Sequence, residues 1–238
     1  MQQLHNRRLD VILFDLGNTL LYFDGVWEQV IAEMDAALYH SLLASGLNLD
    51  KQDFMRQMEA KFAEFDVQKS GEFLEFTTAY LLRSLLSDLR YPAVSEPVIQ
   101  RAIRVMYAVS QAHWLPEPDA QPTLQSLREQ GYRMGLISNA RDDQDVQMLI
   151  DKAGIREYFD VILTSAAQGI RKPNPRIFQR ALQHWGARPE RAAMVGDTLG
   201  ADILGAHNAG IYSVWITRRV APNQPHLDRI IPDAQVES

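Results

Sequence analysis

Four short apolar runs, each leading into a polar residue, constrain this chain more than any other feature. Val11-Ile12-Leu13-Phe14 runs into Asp15, Met134 to Ile137 into Ser138, and Ala192 to Val195 into Gly196-Asp197, while Lys172 stands just past Val161 to Thr164. From Pro116 onward such runs alternate with helical patterns: Pro122 to Gln130 ending at Gly131, Asp142 to Ala153, Pro175 to Trp185, and Leu199 to Ala209 ending at Gly210. Glycine accepts the left-handed conformation that closes a helix, and proline suits a first helical turn because its missing N–H is not needed there. Tyr212 to Thr217 adds another strand, and Ala234 to Val236 is a candidate edge strand in an irregular tail carrying Pro222, Pro225 and Pro232. Strand and helix in succession predict βαβ units and a parallel sheet. The carboxyl ends of the strands in such a sheet form the ligand crevice. An acid, a hydroxyl, a lysine and an acidic pair are therefore expected to meet there, a set suited to phosphoryl transfer.

Residues 26 to 112 read differently. Trp27, Val30, Ile31, Met34, Leu38 and Leu42 recur at three- and four-residue spacing, as do Phe54, Met58, Phe62 and Phe65. Such periodicity predicts amphipathic helices. Phe73, Phe76 and Tyr80, continuing to Leu89, give a third helix and Val98 to Ala112 a fourth, separated by Tyr91-Pro92 and Glu96-Pro97, because a residue before proline avoids the helical region. The expectation is an all-helical unit inserted into the α/β pattern.

The 238 residues suffice for a core domain plus a smaller one, and 46% hydrophobic with 23% charged residues is ordinary globular composition. The formal charge of −6 comes without any Lys/Arg run, which argues against nucleic acid or an anionic membrane as partner and leaves a small molecule. With no cysteine, thiol nucleophiles and thiolate metal sites are excluded. The polar start and the short apolar stretch after it suit neither a signal peptide nor a membrane span, so a cytoplasmic protein is expected, monomer or homodimer.

The motif order resembles the haloacid dehalogenase superfamily, mostly Mg-dependent phosphatases. The residues that carry the resemblance are Phe14-Asp15-Leu16-Gly17-Asn18-Thr19-Leu20, Leu136-Ile137-Ser138-Asn139, Gly169-Ile170-Arg171-Lys172-Pro173-Asn174-Pro175, and Val195-Gly196-Asp197-Thr198 with Asp202. It spans about Val11 to Thr217 and implies a doubly wound, Rossmann-like parallel sheet with the Asp15 strand in the middle. The core would comprise residues 1–22 and 114–238, and a helical cap residues 23–113. Hinges are expected near Phe23-Asp24-Gly25 and Leu115-Pro116, with Tyr22, Phe23 and Trp27 facing the cleft. The resemblance also implies a phosphorylated small-molecule substrate. Asp15 would be the nucleophile forming an acyl phosphate. Asp15, the carbonyl of Gly17, Asp197 and Asp202 would hold Mg²⁺, a hard cation that takes oxygen ligands; Asp202 would alternatively orient Lys172. Lys172 would neutralise the developing charge, and Ser138, Asn139, Thr19 and Lys172 would bind phosphate.

One departure stands out. The family's phosphatases usually carry an acid two residues after the nucleophile, and here that position is Gly17. Three readings follow. The chain is a phosphatase that favours good leaving groups or recruits an acid such as Asp24 or Glu28; it is a catalytically weak or inactive regulatory protein that binds phosphate and Mg²⁺; or it is a 2-haloacid dehalogenase, a reading opposed by the retained acids Asp197 and Asp202.

Overall fold

The computed structural model describes residues 8–220 and 229–238, with the backbone alone over 66–72. Val11–Phe14 forms β1, Arg133–Ser138 β4, Val161–Thr164 β5, Ala192–Gly196 β6, Tyr212–Ile216 β7 and Ala234–Val236 β8, joined in the order β5-β4-β1-β6-β7-β8. Every pairing in this sheet is parallel, β1 lies between β4 and β6, and the weak run at Ala234 is the edge strand. The rest of the tail reading, at Pro222 and Pro225, lies outside the described residues.

Alternation along β1 explains why the sheet is covered on both sides. Ile12 and Phe14 pack with Leu124 of α5 (Ala120–Glu129) and Val146, Leu149 and Ile150 of α6 (Asp143–Lys152). Val11 and Leu13 point the other way, onto Ile177, Phe178 and Ala181 of α8 (Pro175–Gln183) and Ala206 of α9 (Leu204–Ala209). Successive side chains of a strand face opposite ways, so a strand buried on both faces is apolar throughout. Each large apolar side chain so buried stabilises the fold by about 1.5–3 kcal/mol before cavity effects. A short helix, α7 (Ser165–Gln168), follows β5. Gly131 and Gly210, after α5 and α9, take φ of +84° and +72°, the left-handed closure read from the sequence.

Between β1 and β4 the chain leaves the sheet through β2 (Leu21–Phe23) and returns through β3 (Trp114–Pro116). These strands pair antiparallel, with Phe23 opposite Trp114, in a two-stranded ribbon where the sequence had suggested only hinges. Beyond the ribbon stand α1 (Trp27–Ala44), α2 (Lys51–Glu72), α3 (Thr78–Asp88) and α4 (Glu96–Gln111). Leu38, Leu42, Phe54, Met58, Leu82, Leu85, Ile99 and Ile103 form their common core. The third helix starts later than the aromatic spacing predicts. Phe73 sits in a left-handed conformation at φ +52°, Phe76 stacks on Tyr80 and packs tilted against Phe65 from a loop, and the Thr77 hydroxyl caps the helix by accepting from the Tyr80 N–H. No helix among the described residues is long and apolar enough to cross a membrane.

Candidate active site

Register brings the strand ends to one level. Phe14 pairs with Leu136 on one side and Val195 on the other, so one residue further along Asp15 stands beside Ile137 and Gly196, next to Ser138 and Asp197. Lys172 arrives from the loop after α7, and its ammonium donates to Asp15 Oδ1 at 2.6 Å and to the Ile137 carbonyl at 2.7 Å. It also lies 2.7 Å from Asp202 Oδ1. Lys172, only 2% exposed, thus donates two hydrogen bonds, to Asp15 and to the Ile137 carbonyl, and forms a buried ion pair with Asp202.

Asp202 lies on the π-helical turn Leu199–Ile203, and its second oxygen accepts from the Thr198 N–H at 2.9 Å. That approach requires a glycine at 196, since a Cβ there would stand 2.3 Å from Asp202 Cγ. Asp197 accepts from the Thr198 hydroxyl at 3.0 Å, while the Trp215 indole donates to the Asp197 carbonyl at 2.8 Å and anchors that loop to β7. Ligand oxygens of Asp15, Asp197 and Asp202 all lie within 4.8 Å of one another.

Three carboxylates facing one ammonium leave an excess of negative charge in a buried place. Burial pushes the Asp15 carboxyl up to about 7 against the pull of Lys172, with Asp202 and Asp197 adding to the rise. Burial, then Asp202, likewise push Asp197 up to about 6. Burial works against the Lys172 ammonium, yet Asp15 and Asp202 more than offset it and raise its pKa. Close carboxylates that disfavour one another's ionisation form a set a divalent cation would neutralise. The all-oxygen donors and their spacing fit Mg²⁺.

The cluster opens into a cleft of about 1240 Å³ between sheet and helical insert, lined by Gly17, Asn18, Ser138 and Asn139 from the core and by Trp27, Met34, Asp35 and Phe62 from the insert. Asn18, in this loop, adopts φ +56°, a conformation asparagine tolerates better than most residues. Not every expected residue faces this space. Asn139 lines the cleft and also holds the lysine backbone, its amide donating to the Lys172 carbonyl at 3.0 Å and its oxygen accepting from the Lys172 N–H at 2.9 Å. Thr19 is buried beneath Asp15, its hydroxyl 3.5 Å from Oδ2, and does not line the cleft. Of the three aromatics expected in the cleft, only Trp27 lines it; Phe23 packs among Trp27, His113 and Trp114, and Tyr22 lies under the Arg219 guanidinium. Asp24 and Glu28 are exposed and outside the cleft lining.

The structure adds three residues to the cleft. Trp114 comes within 3.3 Å of where a Cβ on Gly17 would stand, closer than ordinary van der Waals contact, so a side chain at 17 would press on the indole. Arg141 and Arg171 border the cleft from the core, Arg141 lying 4.8 Å over the Phe62 ring. Their nearness to Asn139 and Lys172 in sequence was the available signal; Trp114 offered none, because a three-residue strand is too short for alternation to register.

A family model described as haloacid dehalogenase-like hydrolase matches residues 9–210. The chain is 29% identical over 231 residues to a glyceraldehyde 3-phosphate phosphatase of Methanopyrus kandleri, covering 96% of this chain and 93% of that protein. It is 30% identical to a protein of the same name from Pyrococcus furiosus, over 88% of this chain and 81% of the relative. A phosphoserine phosphatase of Thermus thermophilus is 38% identical across 50% of this chain and 46% of its own length. Among solved structures, a 2-haloacid dehalogenase from Pseudomonas syringae superposes with a TM-score of 0.67 at 24% identity, covering 97% of this chain and 94% of that one. The sheet order, the strand-end cluster and the match across most of the length agree: this chain belongs to the haloacid dehalogenase-like hydrolase family.

Proposed function

We propose that the protein is a Mg²⁺-dependent phosphatase of a small phosphorylated metabolite, working through an aspartyl-phosphate on Asp15, with residues 23–113 as the cap. The observation that carries this reading is the buried cluster of Asp15, Lys172, Asp197 and Asp202 at the floor of the cleft. An Asp15 oxygen attacks phosphorus, the bond from phosphorus to the ester oxygen breaks, and that oxygen leaves with the electron pair; water then attacks phosphorus and returns the carboxylate with release of phosphate. Lys172 favours the ionised form of Asp15 against the effect of burial and offsets charge on the transferring group. Ser138, at the end of β4, presents its hydroxyl to phosphate oxygens. Asp15, Asp197, the Gly17 carbonyl and Asp202 would hold the Mg²⁺, and Asp202 also orients Lys172. The ion supplies electrostatic stabilisation of the phosphoryl charge. The named activities of the relatives favour small phosphorylated substrates.

A screen of phosphorylated metabolites with Mg²⁺, repeated with EDTA, tests this. Turnover that EDTA removes and Mg²⁺ restores is the expected result, and release of halide from a 2-haloacid in EDTA would instead support a dehalogenase. Carboxylates packed this closely would repel without a cation, which counts against that alternative.

Gly17 bears on the leaving group. General acid catalysis is worth roughly 10²–10⁴-fold, and without an acid there the departing oxygen must carry its own charge. Aryl phosphates are therefore expected to turn over faster than alkyl phosphates, and equal rates would contradict this. Gly17→Asp alone is expected not to narrow the gap, because Trp114 stands 3.3 Å from the new Cβ. Gly17→Asp combined with Trp114→Ala is expected to narrow it about tenfold or more.

A further inference from the structure

Besides the β2–β3 ribbon and the end of α4, where the Gln111 amide donates to Asp145 of α6 at 2.8 Å, the insert meets the core through the loop between α2 and α3. There the Arg171 N–H donates to the Phe73 carbonyl at 2.9 Å, the Glu75 N–H to the Gly169 carbonyl at 3.1 Å, and the Thr78 N–H to the Arg141 carbonyl at 2.9 Å. This cap loop is thus bonded to the two core loops that carry Lys172 and follow Ser138. At its centre Glu75 is buried, 8% exposed, although a carboxylate is seldom buried without a specific partner. Its Oε2 accepts from the Ser165 hydroxyl at 2.7 Å and lies 3.8 Å from Arg171 Nε. The Ser165 oxygen in turn accepts from the Ala140 N–H at 2.9 Å. One cap carboxylate is so connected to Ala140, two residues past Ser138, and to Arg171, which precedes Lys172.

We propose that Glu75 is a positioning residue of the active site, fixing the Ser138–Arg141 and Gly169–Lys172 loops when the cap is seated, so that cap closure and assembly of the phosphate site are one event. The catalytic half of this statement rests on the phosphatase reading; the structural half does not. Glu75 lies outside the cleft lining and acts through Ser165 and Arg171. A cap that opened would withdraw the carboxylate and leave both loops less restrained while the cleft is open to water.

Hydrogen exchange on the full chain, read in peptides covering 138–141 and 165–172, tests the wiring without any turnover, and kcat and KM for an aryl phosphate with Mg²⁺ test its consequence. Glu75→Ala is expected to speed exchange in both peptides while β1 stays protected. It should lower kcat about tenfold or more with little change in KM, since misplacement of supporting groups is costly. Glu75→Gln keeps an acceptor for Ser165 but no charge for Arg171, so protection should persist at 138–141 and fall at 165–172, with part of kcat recovered. Ser165→Ala should do the reverse and also serves if Glu75→Ala does not fold. Unchanged exchange in both loops across the folded variants overturns the proposal, as does a kcat loss that Glu75→Gln does not relieve. Absence of phosphate hydrolysis by the native protein would reject the phosphatase reading while the exchange result still decides the wiring.

Discussion

Asp15→Asn is expected to abolish turnover, by at least about 10³-fold, while leaving the fold intact. The amide keeps an oxygen for the Lys172 ammonium, which now reaches Asp15 Oδ1 at 2.6 Å, but it cannot attack phosphorus. Stability should move the other way in metal-free buffer. Burial raises the Asp15 carboxyl from 3.8 to about 7, so its ionised form is less favourable folded than unfolded, and its contribution worsens as pH rises through that window. A neutral amide removes that penalty, and the variant should melt at or above the native protein near pH 7 without Mg²⁺. Adding Mg²⁺ should stabilise the native protein, because a ligand that binds only the folded state does so, and should stabilise the variant less. A thermal melt with and without Mg²⁺, beside the activity assay, checks both halves. Retained turnover in Asp15→Asn would remove Asp15 as the nucleophile.

The sheet was legible because its strands are buried on both faces. Val11 to Phe14 and Val161 to Thr164 are strands with the boundaries the sequence predicts, and β4 and β6 agree within a residue, since an unbroken Val/Ile/Leu run between turn residues has few other uses in an α/β chain. Parallel strands bring their carboxyl ends to one side, which is why Asp15, Ser138, Lys172 and Asp197 group from the strand pattern, whereas Asp202, on the turn after β6, enters only through the family resemblance. Three- and four-residue spacing was less dependable for Phe73, Phe76 and Tyr80. The aromatics repeat as a helix would, but the chain turns left-handed at Phe73 and restarts at the Thr77 cap, so two of the three belong to a loop.

Side-chain direction was not legible. Asn139 and Thr19 are at the right address, yet one spends its amide on the Lys172 backbone and the other lies beneath Asp15. Glu75 has no periodicity and no motif, and its role depends on a loop contact between residues 90 apart in sequence. Gly17 is the reverse case. Its identity is plain in the sequence, but only the packing reveals that Trp114 crowds the adjoining space.

Lys172→Met should damage stability as well as activity, unlike Asp15→Asn. Lys172 is 2% exposed and its ammonium faces Asp15 and Asp202, and removing one partner of a buried ionic group costs about 3–5 kcal/mol because the remaining charges stay uncompensated. Methionine fills a similar volume, so packing loss is small and the loss reads electrostatics. Without the ammonium, three carboxylates face one another with no fixed counter-charge, and Mg²⁺ becomes their one source of compensation. The melting temperature of Lys172→Met should therefore fall well below native in EDTA and rise more on adding Mg²⁺ than the native protein does. Turnover should stay low even in saturating Mg²⁺, about 10²–10³-fold down, because the ion cannot replace the donor that holds Asp15 and offsets the phosphoryl charge. A variant as stable as the native protein in EDTA would mean that the carboxylates share protons when Lys172 is gone, and a melt that Mg²⁺ fails to shift would argue against the three acids as a cation site.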